Sequence, residues 1–467
     1  MNRSKTVNLL AAVIFGLVFV AYILLQERIS TDTAVAVSVS KLARKLKFAQ
    51  HHHKIKVVIL VQGISSSYKL LPVAKGMLAS EDLLPIVIST SDAQDMCKLF
   101  AVSPDIMLGD ISSLSHYSPE MVNTISTALE GVNPAFVLVA GASMQAKLLA
   151  MLANNMNIKV VRISSSPIED SSALDYMADV HFSPSIEITN GILKYGVPKS
   201  NIIQSGSPVL DSANYLASIA TLGSEPWHAD IEKAVFISIS KFNDFLGLTE
   251  LIVGIAQNFT VLINSNNCTE NTFALLEYPT VHIMSPDTSQ DMLAYTLKHC
   301  KLLLTDSYTI QQAAAAFSKH KILVGNASNA PEFSSNVLAS FQNFEKDEII
   351  GVVRTFMENG KQVQVESAYG NGEAALAIIN YLRNPAAVIE QKKAHIYPSS
   401  VALVTYYAPK TNDGHRIWVA GDVYEDLSQK TLTNIAAYTH SHGIPFFFQN
   451  QFLVKTDTRS PYWVFFF

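Results

Sequence analysis

Short apolar runs alternate with helical segments along most of the chain after Lys56. Runs of three to five apolar residues predict strands whose two faces are both buried, and the intervening segments carry the helical period. This alternation is typical of the α/β class, with doubly wound parallel sheets covered by helices on both faces. The predicted strands are 57–61, 85–89, 136–140, 159–163, 180–182, 234–238, 260–264, 281–284, 302–305 and 322–324, and the predicted helices are 70–79, 92–100, 119–130, 144–154, 247–258 and 311–317.

The series is interrupted at 222–230, where Gly, Pro and Trp occur close together. The same alternation of strands and helices then starts again. The pattern therefore predicts two doubly wound domains, 55–221 and 231–383, with a cleft between them at the carboxyl ends of both sheets.

The amino terminus carries an apolar stretch at 7–25, close to the roughly 20 residues that span a bilayer. Arg3 and Lys5 precede it, which predicts a cytoplasmic tail at 1–6 and translocation of the rest. We expect a signal anchor followed by a stem at 26–54, and thus a single-pass type II membrane protein of the Golgi or ER with luminal domains. A cleaved signal peptide remains the alternative.

The amino-acid composition and net charge limit the kinds of molecule that the protein is expected to bind. The 467 residues are 49% hydrophobic and 16% charged, which is typical of a folded protein. The net charge of -5, with no long basic run outside 42–54, argues against a nucleic-acid partner. Cys97, Cys268 and Cys300 are too scattered for a disulfide framework or a metal site. We expect three buried thiols, with a Cys268–Cys300 bridge left open.

The segment 305–313 combines a strand end, a serine and the start of a helix. Free N–H groups and the helix dipole make such a turn a candidate anion site. Tyr308 and Thr309 stand where a pair of glycines would open the turn most readily. Ser307 is therefore the candidate phosphate contact.

Six motifs follow one another in the order typical of one family. Together they resemble the non-hydrolysing UDP-N-acetylglucosamine 2-epimerases over about 55–383. The resemblance implies the two-domain GT-B fold, a UDP or UDP-sugar ligand and a homodimer. The motifs are K-L-L-P-V-A-K at 69–75, K-L-F-A-V-S-P-D at 98–105, D-Y-M-A-D-V-H-F-S-P at 175–184, G-S-P-V-L-D at 206–211, T-D-S-Y-T-I-Q-Q-A at 305–313 and A-Y-G-N-G at 368–372.

The positions at which this sequence departs from the family pattern are those that carry the family's catalytic groups. By the resemblance, an arginine, an aspartate, a glutamate and a histidine are replaced by Ile64, Ala142, Ser164 and Ser240. Elimination and re-addition of UDP needs a base, an acid and cations, and an alkyl group or hydroxyl cannot take a C–H proton at neutral pH. We therefore expect epimerase activity to be lost. Retained as candidate nucleotide-binding residues are Lys69, Asp306, Ser307 and Gln311.

Residues 399–467 follow a linker at 384–398 and predict a strand at 400–406, a helix at 427–441 and a strand at 445–449. This β–α–β order, with Asn434, Tyr438 and the segment 442–446, resembles the start of glycosyltransferase family 34. That family has the GT-A fold and contains galactosyl- and mannosyltransferases. Its metal-binding Asp-x-Asp occurs nowhere in this chain, so the resemblance implies a truncated module.

Three functional hypotheses follow. The first is a membrane-anchored protein of glycan biosynthesis whose degenerate epimerase-like domain binds a nucleotide sugar or serves as a scaffold. The second is an active UDP-sugar glycosyltransferase, a hexosyltransferase. The third is a purely structural partner protein. No metal or other cofactor is expected beyond a UDP or UDP-sugar ligand.

Overall fold

The structure is a computed structural model, and it describes the chain in segments. Within them, no helix is both long and apolar enough to cross a membrane. The predicted anchor at 7–25, the stem and the helix predicted at 427–441 lie outside the described residues. The segments are 53–108, 119–164, 172–221, 226–239, 245–264, 277–285, 287–325, 336–342, 345–362 and 367–385, together with five short strands after residue 404.

Seven parallel strands form the first sheet, in the order β3-β2-β1-β4-β5-β6-β7. Every strand pair runs parallel, as the continuous apolar runs predict. The strands are β1 (Ile55–Val61), β2 (Leu83–Ser89), β3 (Ile106–Met107), β4 (Phe136–Ala140), β5 (Lys159–Ile163), β6 (Val180–Ser183) and β7 (Ile202–Gln204).

Six parallel strands form the second sheet, in the order β10-β9-β8-β11-β12-β13. Both sheets reverse their strand order once, between β1 and β4 in the first and between β8 and β11 in the second. In doubly wound sheets such a switch point is where ligands bind. The strands are β8 (Val235–Ser238), β9 (Val261–Ile263), β10 (Val281–Ile283), β11 (Leu302–Thr305), β12 (Lys321–Val324) and β13 (Val337–Phe341).

Helices connect the strands and pack on the sheets. In chain order the described α-helices are α1 (Gly63–Leu78), α2 (Gln94–Leu99), α3 (Pro119–Val132), α4 (Met144–Asn155), α5 (Ser172–Met177), α6 (Ile186–Lys194), α7 (Pro208–Ile219), α8 (Phe245–Ala256), α9 (Gln290–His299), α10 (Tyr308–Ala315), α11 (Lys346–Asn359) and α12 (Ala374–Arg383).

Two helices at the switch points begin earlier than predicted. Helix α1 starts at Gly63 and not at residue 70, because Gly63 adopts a φ of 55° and turns the chain straight out of β1. Helix α10 starts at Tyr308 and not at residue 311, because the Ser307 side chain caps it. In addition, the predicted break at 222–230 contains a 3-10 segment at Pro226–Lys233.

The described strands of the carboxyl-terminal region form antiparallel pairs, and the helix of the predicted β–α–β unit lies outside the described residues. Its first strand, β14 (Thr405–Lys410), pairs antiparallel with β15 (Arg416–Ala420) and with β18 (Val464–Phe465). The strand predicted at 445–449 is described only at Phe448–Gln449, as β16, in an antiparallel pair with β17 (Phe452–Leu453).

The buried side chains of α12 pack against the first sheet. The Tyr381 ring lies 6.4 Å from that of Phe136 and 5.5 Å from that of Phe182, measured between centroids. Asp211 in α7 accepts hydrogen bonds from the backbone N–H groups of Ala374 and Ala375, at 3.3 and 3.1 Å. The Asp211 carboxylate thus accepts hydrogen bonds from free N–H groups in the first turn of α12, and these bonds hold α12 against α7.

Cys97 and Cys300 are buried free thiols. Burial raises the pKa of Cys97 above its ordinary value and that of Cys300 to about 12. Two of the three thiols expected to be buried are therefore confirmed, and both are free. The third, Cys268, lies outside the described residues.

The G-S-P-V-L-D motif and the late A-Y-G-N-G motif meet at one joint. Gly206 has a φ of 81°, and a Cβ added there would lie 2.7 Å from the carbonyl oxygen of Tyr369. The N–H of Ser207 donates to that same carbonyl at 2.8 Å. The two motifs, more than 150 residues apart in sequence, are therefore one structural unit.

Gly206→Ala should destabilise the protein by about 1–3 kcal/mol, because it adds a disfavoured φ and a backbone clash. Gly191→Ala is the matched control, since Gly191 lies in α6 with no atom within 4 Å of an added Cβ. The control should be neutral or stabilising. Thermal unfolding of both variants measures the difference, and an equal effect would contradict the close approach.

Candidate functional site

The loops after β1 and β11 face each other across the two sheets. They lead into α1 and α10, whose first turns are joined by a hydrogen bond of 3.1 Å between the hydroxyls of Ser65 and Thr309. The Tyr68 hydroxyl donates to Gln290 at 3.4 Å across the same boundary. The two switch points are thus linked by hydrogen bonds, and we call the region between them the cleft.

The turn after β11 is ordered by its own side chains. Ser307 Oγ accepts from the N–H of Ile310 at 3.4 Å, and the Ser307 N–H donates to Thr305 Oγ1 at 3.0 Å. Tyr308 packs its ring edge-on against Tyr369, with centroids 6.4 Å apart and planes at 87°. The side chain that replaces the first glycine is therefore held in an aromatic contact beside the helix start.

Two successive glutamines extend this site into α10. Gln312 Oε1 accepts from the Ser207 hydroxyl at 2.7 Å. Gln311 is fully buried, and neither atom of its amide has a hydrogen-bond partner among the described residues. A buried amide normally has such partners, so the Gln311 amide can still donate and accept hydrogen bonds.

The structure brings together three of the four candidate nucleotide-binding residues. Asp306 and Ser307 are half-buried at the turn, and Gln311 is one helical turn beyond them. Lys69 lies on the buried face of α1, 3% exposed. The amino end of the same helix, at Ser65, contacts the amino end of α10.

Three of the four positions predicted to have lost the family's catalytic groups are described, and none of the three carries an acid, a base or a cation. Ile64 is 42% exposed in the first turn of α1, and Ala142 is half-buried in the loop after β4. Ser164 is buried after β5, and its hydroxyl has no hydrogen-bond partner in the described part of the chain. Ser240 lies outside the described residues. The three described side chains cannot hold a transferable proton at neutral pH.

Polar side chains of the first sheet's loops bond to one another. The Ser143 hydroxyl donates to Gln62 Oε1, which links the loop after β4 to the loop after β1. Ser143 Oγ also caps α4 by accepting from the N–H of Ala146 at 3.1 Å. The loops after β1 and β4 are therefore joined by a hydrogen-bonded network of neutral side chains.

Sequence reasoning missed one charged residue at the cleft, Asp92. A Cβ added to Gly63 would lie 3.1 Å from Asp92 Oδ2, so this carboxylate stands against the first residue of α1. The Thr90 hydroxyl donates to the other carboxylate oxygen. The sequence feature that could have identified Asp92 is its position just after β2, because the loops after β1 and β2 lie at the same edge of the parallel sheet. The start of α1 therefore faces an acid, with Ile64 in place of a cation.

Among the residues the structure describes, no group of three or more His, Cys, Asp or Glu is placed to hold a metal ion. The polar groups of the described cleft are hydroxyls, amides, helix N–H groups and the carboxylates of Asp92 and Asp306.

The comparisons with known proteins agree with this architecture. The family model described as UDP-N-acetylglucosamine 2-epimerase matches residues 67–383. The UDP-N-acetylglucosamine 2-epimerase of Campylobacter jejuni is 21% identical over 374 residues, covering 70% of this chain and 97% of that protein.

Two solved structures share the fold. The UDP-GlcNAc 2-epimerase of Neisseria meningitidis, solved with UDP-GlcNAc, has a TM-score of 0.59 at 18% identity and covers 70% of this chain and 99% of its own. A structure of the S. aureus protein MnaA with UDP has a TM-score of 0.63 at 14% identity and covers 73% of this chain and 100% of its own. The chain therefore belongs to the UDP-N-acetylglucosamine 2-epimerase family.

Proposed function

We propose that the cleft binds UDP or a UDP-sugar at the amino end of α10 and does not catalyse 2-epimerisation. The proposal rests on one observation: the side chains of Ile64, Ala142 and Ser164 provide no acid, base or cation. The turn at Ser307 meanwhile keeps the geometry of an anion site. The solved relatives with bound UDP-GlcNAc and UDP support the ligand class.

Binding and catalysis depend on different halves of the cleft. Helix α10 offers the positive end of its dipole and a turn ordered by Ser307, which stabilise a phosphate without any acid or base. The unused amide of Gln311 adds a donor and an acceptor behind that turn. Nucleotide binding can therefore persist although the α1 side has changed.

Epimerisation depends on the α1 side. Removing a proton from a sugar carbon and stabilising the departing diphosphate need general acid–base groups and positive charge, and each proton-transfer group contributes about 10²–10⁴-fold in rate. Here Ile64 is apolar and Asp92 adds negative charge beside α1. A developing diphosphate at that side would be repelled by the carboxylate.

The test combines binding and turnover on the full-length chain. Calorimetry with UDP should show a Kd in the millimolar range or tighter, and NMR of the same protein with UDP-GlcNAc should show no 2-epimer. Formation of the epimer would contradict the loss of activity. Absence of UDP binding would instead favour the purely structural role, and hydrolysis or transfer of the sugar would favour the glycosyltransferase alternative.

The membrane anchor at 7–25 and a location in the Golgi or ER are part of the same proposal. The apolar length of the segment and the preceding Arg3 and Lys5 support it. Protease protection of the chain in intact microsomes, lost on adding detergent, is the expected result. Residues 399–467 are assigned no catalytic role in this proposal.

A further inference from the structure

A second cavity, of about 510 Å³, lies at the opposite end of α10 from the Ser307 turn. It is formed where α7, the end of α9 and the residues after α10 meet. A volume of this size is within the range of small-molecule sites, about 300–1,000 Å³. Its lining includes Lys298, Lys319, Asn214, Gln362 and Phe317.

Lys319 is the central feature of this cavity. It is 8% exposed, and its Nζ donates to the carbonyl oxygen of Cys300 at 2.7 Å. An ammonium has three donors, and one described hydrogen bond uses only one of them, although the Glu232 carboxylate also attracts this cation. A buried cation with unused donors is costly unless an anion satisfies it.

The surroundings of Lys319 favour an anion over other ligands. Lys298 adds a second positive charge at the cavity. The exposed Glu232 carboxylate attracts Lys319 from a distance, and no described carboxylate forms an ion pair with either lysine. Desolvation by burial lowers the pKa of Lys319, which an incoming anion would reverse. Two point charges of this kind suit the compact double charge of a phosphate.

The remaining lining residues point to an organic phosphate. Phe317 offers an apolar face, and the Asn214 amide can hydrogen-bond a bound molecule. Gln362 is already held in place, by His320 through Oε1 at 3.1 Å and by the Lys301 carbonyl through Nε2 at 2.5 Å. This wall of the cavity is therefore preformed.

We propose that this cavity is a second ligand site, separate from the cleft, that binds a small phosphate monoester through Lys319 and Lys298. Because α10 runs from the Ser307 turn to the cavity, one short helix links the two sites. The proposal does not depend on nucleotide binding in the cleft.

The test uses phenyl phosphate as the probe and calorimetry on the full-length chain. Lys319→Met should weaken binding about 10–100-fold, the loss expected for one buried charge-assisted hydrogen bond. Lys301→Met is the matched control, because Lys301 also donates to a backbone carbonyl, that of Met357 at 2.6 Å, but does not line the cavity. The control should bind like the wild type, and phenol should not bind detectably.

A second variant keeps the test decisive if Lys319→Met fails to fold. Lys298 is exposed, so Lys298→Glu should fold normally and weaken the binding of phenyl phosphate at least about tenfold. Saturating UDP should leave the binding of phenyl phosphate unchanged. Equal affinity in the wild type and Lys298→Glu, no binding by the wild type, or full competition by UDP would each overturn the proposal.

Discussion

Ser307→Trp should weaken UDP binding by the full-length chain at least about 100-fold. An indole at the start of α10 fills the turn in which the phosphate is proposed to lie, and the capping hydroxyl is lost. Loss of two charge-assisted hydrogen bonds, each worth about 1.5–3 kcal/mol, accounts for an effect of this size. Calorimetry with UDP measures it directly.

Two further variants separate occlusion of the turn from loss of the cap. Ser307→Ala removes only the cap, which costs about 1 kcal/mol of helix stability, and should weaken binding no more than about tenfold. Ser218→Trp introduces the same indole at an exposed position of α7 and should bind UDP like the wild type. Wild-type affinity in Ser307→Trp would show that UDP binds elsewhere.

Asp175→Asn should destabilise the first domain by about 3–5 kcal/mol, the cost of leaving a buried charge without its counter-ion. Arg162 in β5 is 1% exposed, and its Nη1 donates to Asp175 Oδ1. His181 in β6 places its Nδ1 3.6 Å from the same oxygen. Thermal unfolding should show a midpoint lower by on the order of 10 °C.

The control for this prediction is an exposed pair with the same chemistry. Asp95 and Lys98 form an ion pair of 2.8 Å at the surface, and Asp95→Asn should leave the unfolding midpoint nearly unchanged. Replacing both buried partners, as Arg162→Met with Asp175→Leu, should recover part of the lost stability because no charge is then left uncompensated. If the double variant recovered no stability, the loss in Asp175→Asn would arise from altered packing at Asp175 and not from an uncompensated charge.

The parallel strands were largely predictable from the sequence. The strands at Phe136–Ala140, Lys159–Ile163 and Leu302–Thr305 have the predicted bounds. Central strands of such sheets are buried on both faces and therefore read as mainly apolar runs, and in Lys159–Ile163 this pattern is interrupted by Arg162. The predicted bounds were least accurate where residues typical of helix breaks lie within a helix. Helix α1 begins with Gly63 and contains Pro72, which both resemble breaks in a helical pattern.

Several elements were not predicted, although the helices α6, α11 and α12 have buried apolar residues at helical spacing. They include β7 with three residues, β3 with two, and the helices α6, α7, α9, α11 and α12. Helix α7 begins inside the G-S-P-V-L-D motif, where Pro208 follows the capping Ser207, a recognisable start signal. Their stability comes mainly from tertiary packing, as for most helices in proteins.

The chain by itself determined the fold class, the family and the absence of titratable groups at Ile64, Ala142 and Ser164, because these follow from residue type and order. Only the tertiary structure decided which residues meet. It placed Ser65 against Thr309, Asp92 against Gly63 and Asp211 on the amino end of α12. These contacts join segments that are 29 to 244 residues apart in sequence, and no local propensity specifies such pairs, since they arise from the packing of whole elements.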